Sequence, residues 1–190
     1  HKESQQLTTY DGRETAPQAA TSELFLNENG QALRWSDAVV GGKSVGVPGV
    51  LAALNKAYEK FGVLPWQDLF QPAIKLAENG FVVSPRLEKL LGMNFNPGIH
   101  LLPEIKNYFS PNGIGIKAGD TLKNPKLAKA LKSIANEGVD VFYNGWIAKK
   151  IVEKVQNSII SPGQLSLDDM KKYKAIERAS VCGPYHQYKV

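Results

Sequence analysis

A helix-rich α+β architecture with strand material at its two ends is what this sequence predicts, and three observations carry it. Between Val50 and Phe61, the residues Leu51, Leu54, Ala57, Tyr58 and Phe61 recur at three- and four-residue steps, which places them on one helical face. Several apolar runs of this kind have marked ends, such as Asn124-Pro125 before one of them and Gly138 after it. By contrast, the Thr-rich stretch from Ser4 to Tyr10 and the last twelve residues read as strands. A chain of 190 residues buries roughly 70% of its unfolded surface, enough for one core. Its hydrophobic share of 43% and charged share of 22% are ordinary for a globular domain.

The elements follow in order. The strand from Ser4 to Tyr10 runs into a turn at Asp11-Gly12. Pro17 is expected to start a short helix through Ala20 to Leu24, Asn27 to Gly30 is a turn, and Gly41-Gly42 reads as a flexible loop. Gly46, Pro48 and Gly49 then make a tight turn into the helix from Val50, with Gly62 at the position of a C-terminal cap glycine. Pro65-Trp66 opens a second helix whose apolar side is Leu69, Ile74 and Leu76, and Gly80 closes it. Pro85 starts a third, through Leu87 to Leu91. Residues 92–121, with three prolines and five glycines, are the least regular part, pinned by Leu101, Ile105, Tyr108 and Phe109. Helices return from Asn124 to Gly138 and around Ile147, Ile151, Val152 and Val155. Ser166 and Asp169 have capping-box spacing before Met170 and Tyr173. At the end, Gly183-Pro184 is expected to turn between strands that include Val181, Tyr185, Tyr188 and Val190.

Composition excludes some function classes. No run of 18 apolar residues is present, so no segment reads as a membrane span. The chain begins with His1 and shows no basic-then-apolar leader, which reads as a signal peptide absent or already removed. His1, His100 and His186 lie far apart without Cys or carboxylate neighbours at ligand spacing, so neither a metal nor a cofactor is expected. Cys182 stands alone, forms no internal disulfide, and reads as a small strand residue. The net charge of +5 is C-terminal in origin, since residues 117–190 hold 13 Lys/Arg against 7 Asp/Glu. Lys126, Lys129 and Lys132 form a stripe at three-residue spacing. It reads as a solvated helix face with Leu127, Ala130, Leu131 and Ile134 buried opposite, because no aromatic or recognition-helix pattern of a nucleic-acid binder accompanies it.

As a string, Ser44-Val45-Gly46-Val47-Pro48-Gly49, the helix to Phe61-Gly62, Leu64-Pro65-Trp66, Pro72-Ala73-Ile74 and Ala77 to Phe81 resemble the large subunit of the γ-glutamyltranspeptidase family. Upstream, Asp11-Gly12-Arg13-Glu14-Thr15-Ala16-Pro17 is similar to the family's D-x-R-E-x-A-P motif. Downstream, Phe142-Tyr143-Asn144-Gly145, Asp169-Met170, Tyr173-Lys174-Ala175 and the closing tyrosines fall in the family's order. Val50 stands where the family commonly has threonine. The resemblance implies a fragment of an N-terminal-nucleophile (Ntn) hydrolase of αββα layering, with residues 1–190 a partial large-subunit domain. It also implies an enzyme that cleaves γ-glutamyl amides, glutathione among them, and passes the acyl group to water, an amino acid or a peptide. A small subunit of the same precursor, a periplasmic or extracellular location, and a nucleophilic threonine outside this chain are implied with it, so the fragment itself is expected to be inactive. Related acylases share the scaffold, and a non-catalytic helical binding module is the alternative from another class.

Arg13 is the candidate substrate contact. A guanidinium presents a planar fork that matches a carboxylate through two parallel hydrogen bonds. In the resembling family this arginine holds the α-carboxylate of the γ-glutamyl group; a surface role, or a pair with Glu14 or Asp11, is the alternative. Thr8-Thr9 superficially resembles the family's nucleophile pair, but it lies just ahead of the Arg13 motif and reads as strand. Gly42-Lys43-Ser44-Val45-Gly46 matches a nucleophile elbow in letters, while Pro48 argues for a structural turn. Asp168-Asp169 reads as a helix N-terminus complemented by carboxylates rather than an acid pair.

Overall fold

In the computed structural model, which describes residues 7–93 and 96–189, a first strand β1 (Thr9–Asp11) precedes helices α1 (Trp35–Val39), α2 (Val50–Phe61) and α3 (Trp66–Asn79). Strand β2 (Phe81–Val82), helices α4 (Pro85–Gly92), α5 (Gly98–Leu101) and α6 (Pro103–Phe109), and strand β3 (Thr121–Leu122) follow. The C-terminal part holds α7 (Pro125–Glu137), α8 (Asp140–Tyr143), α9 (Trp146–Gln156), α10 (Leu167–Lys172), β4 (Ile176–Arg178), β5 (Pro184–Tyr185) and β6 (Tyr188–Lys189). The helix-rich α+β class expected from the sequence is therefore what the chain adopts. Among the described residues the strands form three two-stranded antiparallel ladders, β1 with β4, β2 with β3, and β5 with β6. The register Tyr10 opposite Glu177 brings the two strand-forming ends of the sequence together. Of the expected strands, Ser4 to Gln6 and Val190 lie outside the described residues, as does His1.

The core is C-terminal. Val47 packs with Tyr143, Ala148, Val152, Val155, Leu165 and Met170, and a second cluster of Ile134, Val141 and Ile147 lies beside it. Leu51, Phe142 and Ile151 touch both clusters, so α8 and α9 act as the hub against which the Val47 turn and α7 are laid. α3 packs along α7, and the Trp66 indole N–H donates to the Ile134 carbonyl at 3.1 Å. Local signals set the ends. The Asn124 side chain accepts from the Leu127 amide at 3.0 Å, with Pro125 at the first helical position, and Gly138 ends α7 at φ +80°. Ser166 and Asp169 close a capping box in both directions, the Asp169 amide donating to Ser166 Oγ at 3.1 Å and the Ser166 amide to Asp169 Oδ2 at 2.9 Å.

Several expectations are corrected. Pro17 starts no helix; residues 17–26 form successive turns (Ala20 N–H to Pro17 O, Leu24 N–H to Thr21 O), while α1 lies in a stretch that carried no helical pattern. Gly41-Gly42 is wedged rather than loose: a Cβ on Gly41 would sit 1.9 Å from the Ile160 carbonyl oxygen, and one on Gly42 2.1 Å from that of Val155. Gly62 has φ −65°, so it is no left-handed cap; its missing side chain makes room for the Tyr58 ring, 2.3 Å from where a Cβ would stand. On α2 the expected face is only half-buried, with Leu54 58% exposed and Phe61 exposed as well. α3 buries Ile74 and Ala77 while Leu69 and Leu76 face solvent. On α7, Leu127 is exposed and Ala128, Ile134 and Ala135 are buried; Lys132 pairs with Glu78, and Lys129 lies 5.4 Å over the Trp146 ring. Residues 92–121 contain α5 and α6, with Leu101 and Ile105 exposed rather than pinning. The last turn is at His186-Gln187, with Gly183 before β5; Val181 and Cys182 are exposed and outside any strand.

Met170 is 0% exposed at the centre of the larger cluster. Met170→Ala is expected to lower unfolding free energy by about 2–5 kcal/mol in chemical denaturation of this chain, while exposed Leu54→Ala changes it by less than about 1 kcal/mol. Equal losses would contradict the exposed placement of Leu54.

Candidate functional site

Arg13 sits on a turn held from three sides. Two residues before it, Asp11 ends β1; its Oδ1 accepts the Arg13 backbone N–H at 2.9 Å, an Asx-type turn, while its Oδ2 accepts from Arg178 Nε of β4 at 2.7 Å. These two bonds, the Arg13 amide first and the Arg178 guanidinium second, hold the Asp11 carboxyl below the usual carboxylate range. Behind it, the Arg13 carbonyl accepts from Tyr173 Oη at 2.7 Å, just past the end of α10. After it, Thr15 bridges antiparallel to Val47, whose N–H donates to the Thr15 carbonyl at 2.8 Å. Farther along, the Gln18 amide donates to Asp169 Oδ1 at 2.8 Å, so the helix-capping carboxylate of α10 also anchors this segment.

Close backbone packing brings the Arg13 turn onto the Gly46–Gly49 turn. A Cβ on Gly12 would lie 2.6 Å from Ala53 Cβ and 2.9 Å from the Gly49 carbonyl oxygen. Tyr143 locks the second turn from below, its Oη donating to the Pro48 carbonyl at 2.9 Å and accepting the Ala52 N–H at 3.1 Å. Burial pushes the Tyr143 phenol up to about 12, with the Ala52 hydrogen bond working the other way, so it stays a neutral donor. The rings of Tyr143 and Tyr173 stack 6.0 Å apart at 7°.

Arg13 itself points outward, its side chain 81% exposed and its Nε donating to Glu14 Oε1 at 3.1 Å. Glu14 is held below the usual range by its own backbone N–H first and Arg13 second. Among the described residues the terminal guanidinium nitrogens have no hydrogen-bond partner. Beside this turn opens an apolar cleft of about 560 Å³ whose walls include Gly12, Glu14, Pro48, Val50, Leu54 and Phe70. The arrangement fits one anionic group at the fork with an apolar surface alongside.

The other candidates go to structural work. Thr9 Oγ1 bonds Ser180 Oγ at 2.8 Å, just beyond the end of the β1–β4 ladder. Ser44 Oγ donates to the Val39 carbonyl at 2.8 Å, a turn hydroxyl rather than a nucleophile. Asp168 pairs with Lys172 at 2.6 Å and Asp169 caps α10. Among the described residues no cluster of three His, Cys, Asp or Glu side chains is arranged to hold a metal. Sequence reading missed the parts played by Tyr143, Tyr173 and Arg178. Two of these residues belong to recognised strings, yet no spacing in the sequence ties them to Arg13.

The sequence model of the family described as gamma-glutamyltranspeptidase matches residues 1–190. The chain is 40% identical to glutathione hydrolase 3 of Arabidopsis thaliana over 87% of its length, covering 24% of that protein. It is 37% identical to the glutathione hydrolase proenzyme of Bacillus subtilis (strain 168), over 96% of the chain and 30% of that protein. It superposes on the solved structure of gamma-glutamyltranspeptidase from Pseudomonas nitroreducens complexed with L-DON with a TM-score of 0.84 and 32% identity, covering 96% of this chain and 52% of that one. The chain thus spans under a third of the length of these curated relatives.

The Asp11 turn has a pH signature. A carboxyl lowered in the folded state stabilises it fully above the unfolded value and stops doing so as pH falls through the folded value. Hydrogen-exchange protection of the Arg13 amide is expected to be constant near neutrality and to fall below about pH 4. Asp11→Ala, which removes the acceptor, is expected to show the low protection already at neutral pH. Equal protection at both pH values, or in both proteins, would contradict the turn's dependence on that carboxylate.

Proposed function

The chain belongs to the γ-glutamyltranspeptidase family, and from that premise we propose that residues 1–190 form part of the large subunit of an enzyme that cleaves γ-glutamyl amides. Glutathione and its conjugates are the donor class, and water, an amino acid or a peptide takes the acyl group. Arg13 holds the α-carboxylate of the γ-glutamyl donor. The observation that carries this role is a charged fork whose terminal nitrogens are unclaimed among the described residues, on a turn fixed at both ends and beside a cleft. A carboxylate reaching that fork makes two parallel charge-assisted hydrogen bonds, and Glu14, bonded at Nε, leaves both terminal nitrogens to it.

The division of labour follows from what the chain contains. Binding the carboxylate fixes the donor's position and leaves its γ-carbonyl to be attacked elsewhere, so this chain supplies orientation. The attacking group is the N-terminal threonine of a partner subunit cut from the same precursor, its hydroxyl as nucleophile and its α-amine as base. The proenzyme names of relatives support a processed precursor. A periplasmic or extracellular setting is proposed from the family membership. Among the described residues no helix is long and apolar enough to cross a membrane.

In the full-length protein, Arg13→Ala is expected to reduce kcat/KM on a γ-glutamyl anilide by a factor equivalent to about 2–5 kcal/mol, the range for removing one partner of a desolvated charge pair. Arg13→Lys recovers only part, because an ammonium lacks the fork. Wild-type kcat/KM in Arg13→Ala, with precursor cleavage proceeding normally, would overturn the assignment.

A further inference from the structure

We propose that Tyr173 is a positioning residue for Arg13, fixing the substrate-binding turn through its carbonyl, with Tyr143 as the stacked support behind it. Nothing in the side-chain chemistry of Arg13 fixes its own backbone. On the N-terminal side Asp11 does so; on the C-terminal side the Tyr173 hydroxyl donates to the Arg13 carbonyl at 2.7 Å. That phenol is placed from the core side. Its ring lies flat on Tyr143, whose own hydroxyl is committed to Pro48 and Ala52.

Gly49 supplies the independent observation. Its φ is −117°, a conformation open to any residue, so the backbone does not require glycine there. What requires it is space, because a Cβ would stand 1.9 Å from Tyr173 Oη and 2.3 Å from its Cζ. The turn glycine that reads from sequence as a conformational device is the gap through which the phenol reaches Arg13. The Asp11 and Glu14 carboxylates, both near enough to raise the phenol's proton affinity after burial has done so, mark the same spot. One side chain just past α10 therefore fixes the backbone from which the guanidinium projects beside the cleft.

The inference rests on Arg13 holding the donor carboxylate, and the test separates the two. In the full-length protein, Tyr173→Phe keeps the stacked ring and removes one hydrogen bond. The probes are a γ-glutamyl anilide and the γ-aminobutyryl anilide, which lacks only the α-carboxylate. Tyr173→Phe is expected to raise KM for the first about three- to tenfold with kcat unchanged, and to leave the second unaffected. Hydrogen exchange over residues 11–15 is expected to quicken while that of α7 stays as it was. An Arg13-dependent preference for the γ-glutamyl anilide that Tyr173→Phe does not move would overturn the positioning role alone. Equal losses on both anilides, or unchanged exchange over residues 11–15, would also overturn it, as would a preference that Arg13→Ala leaves intact, which removes the carboxylate reading first.

Discussion

Two loops distant in sequence approach so closely at Gly12 and Gly49 that neither tolerates a side chain. A Cβ on Gly49 would lie 2.5 Å from the Gly12 carbonyl oxygen, and one on Gly12 2.9 Å from that of Gly49. This contact brings the end of β1 onto the turn that starts α2, and with it the Arg13 motif onto the Val47-Pro48-Gly49 motif. Backbone polar groups brought so near must be paired locally. Here they are paired by the Thr15–Val47 bridge, by Tyr143 at Pro48, and by Tyr173 at Arg13. The Arg13 backbone is thus held by groups that do not touch its guanidinium.

The C-terminal helices provide the rigidity. Val47 is the shared residue, packed into the cluster with Leu165 and Met170 and bridged to Thr15 on its other side. Since interiors are packed to crystal-like density, a shift of α10 propagates into the turn instead of being absorbed. The tyrosine pair joins the two regimes. Tyr143 is buried in the core and hydrogen-bonded, whereas Tyr173 is half-buried and spends its hydroxyl at the surface turn. α2, by contrast, shows an apolar face that the described residues only half cover, with Val50 and Leu54 opening toward the cleft.

Local chemistry was legible in the sequence. Asn124-Pro125, Gly138, the Ser166–Asp169 box, Pro85 and the Asn27–Gly30 turn all act within a few residues, and each lies where its residue types place it. What the sequence hid was the reason for several glycines and the choice of buried face. Gly41, Gly49 and Gly62 look like conformational devices, but Gly49 and Gly62 have negative φ and serve close approach, and Gly41 combines a positive φ with a carbonyl in the way. Periodicity marks α3 as amphipathic, yet the helix it meets decides that Ile74 and Ala77 go inside and Leu69 outside. The Arg13 motif was readable as a string and as a fork-shaped cation. Its fastening to Tyr173, 160 residues away, was not.

A crystal structure of the full-length protein with a bound γ-glutamyl ligand tests the central claim most directly. The account predicts both α-carboxylate oxygens within about 2.7–2.9 Å of the terminal nitrogens of Arg13, the distance of charge-assisted pairs. It also predicts that the Tyr173–Arg13 and Asp11–Arg13 backbone bonds persist as they stand here. A ligand carboxylate held by other groups, with Arg13 left turned to solvent, would contradict it.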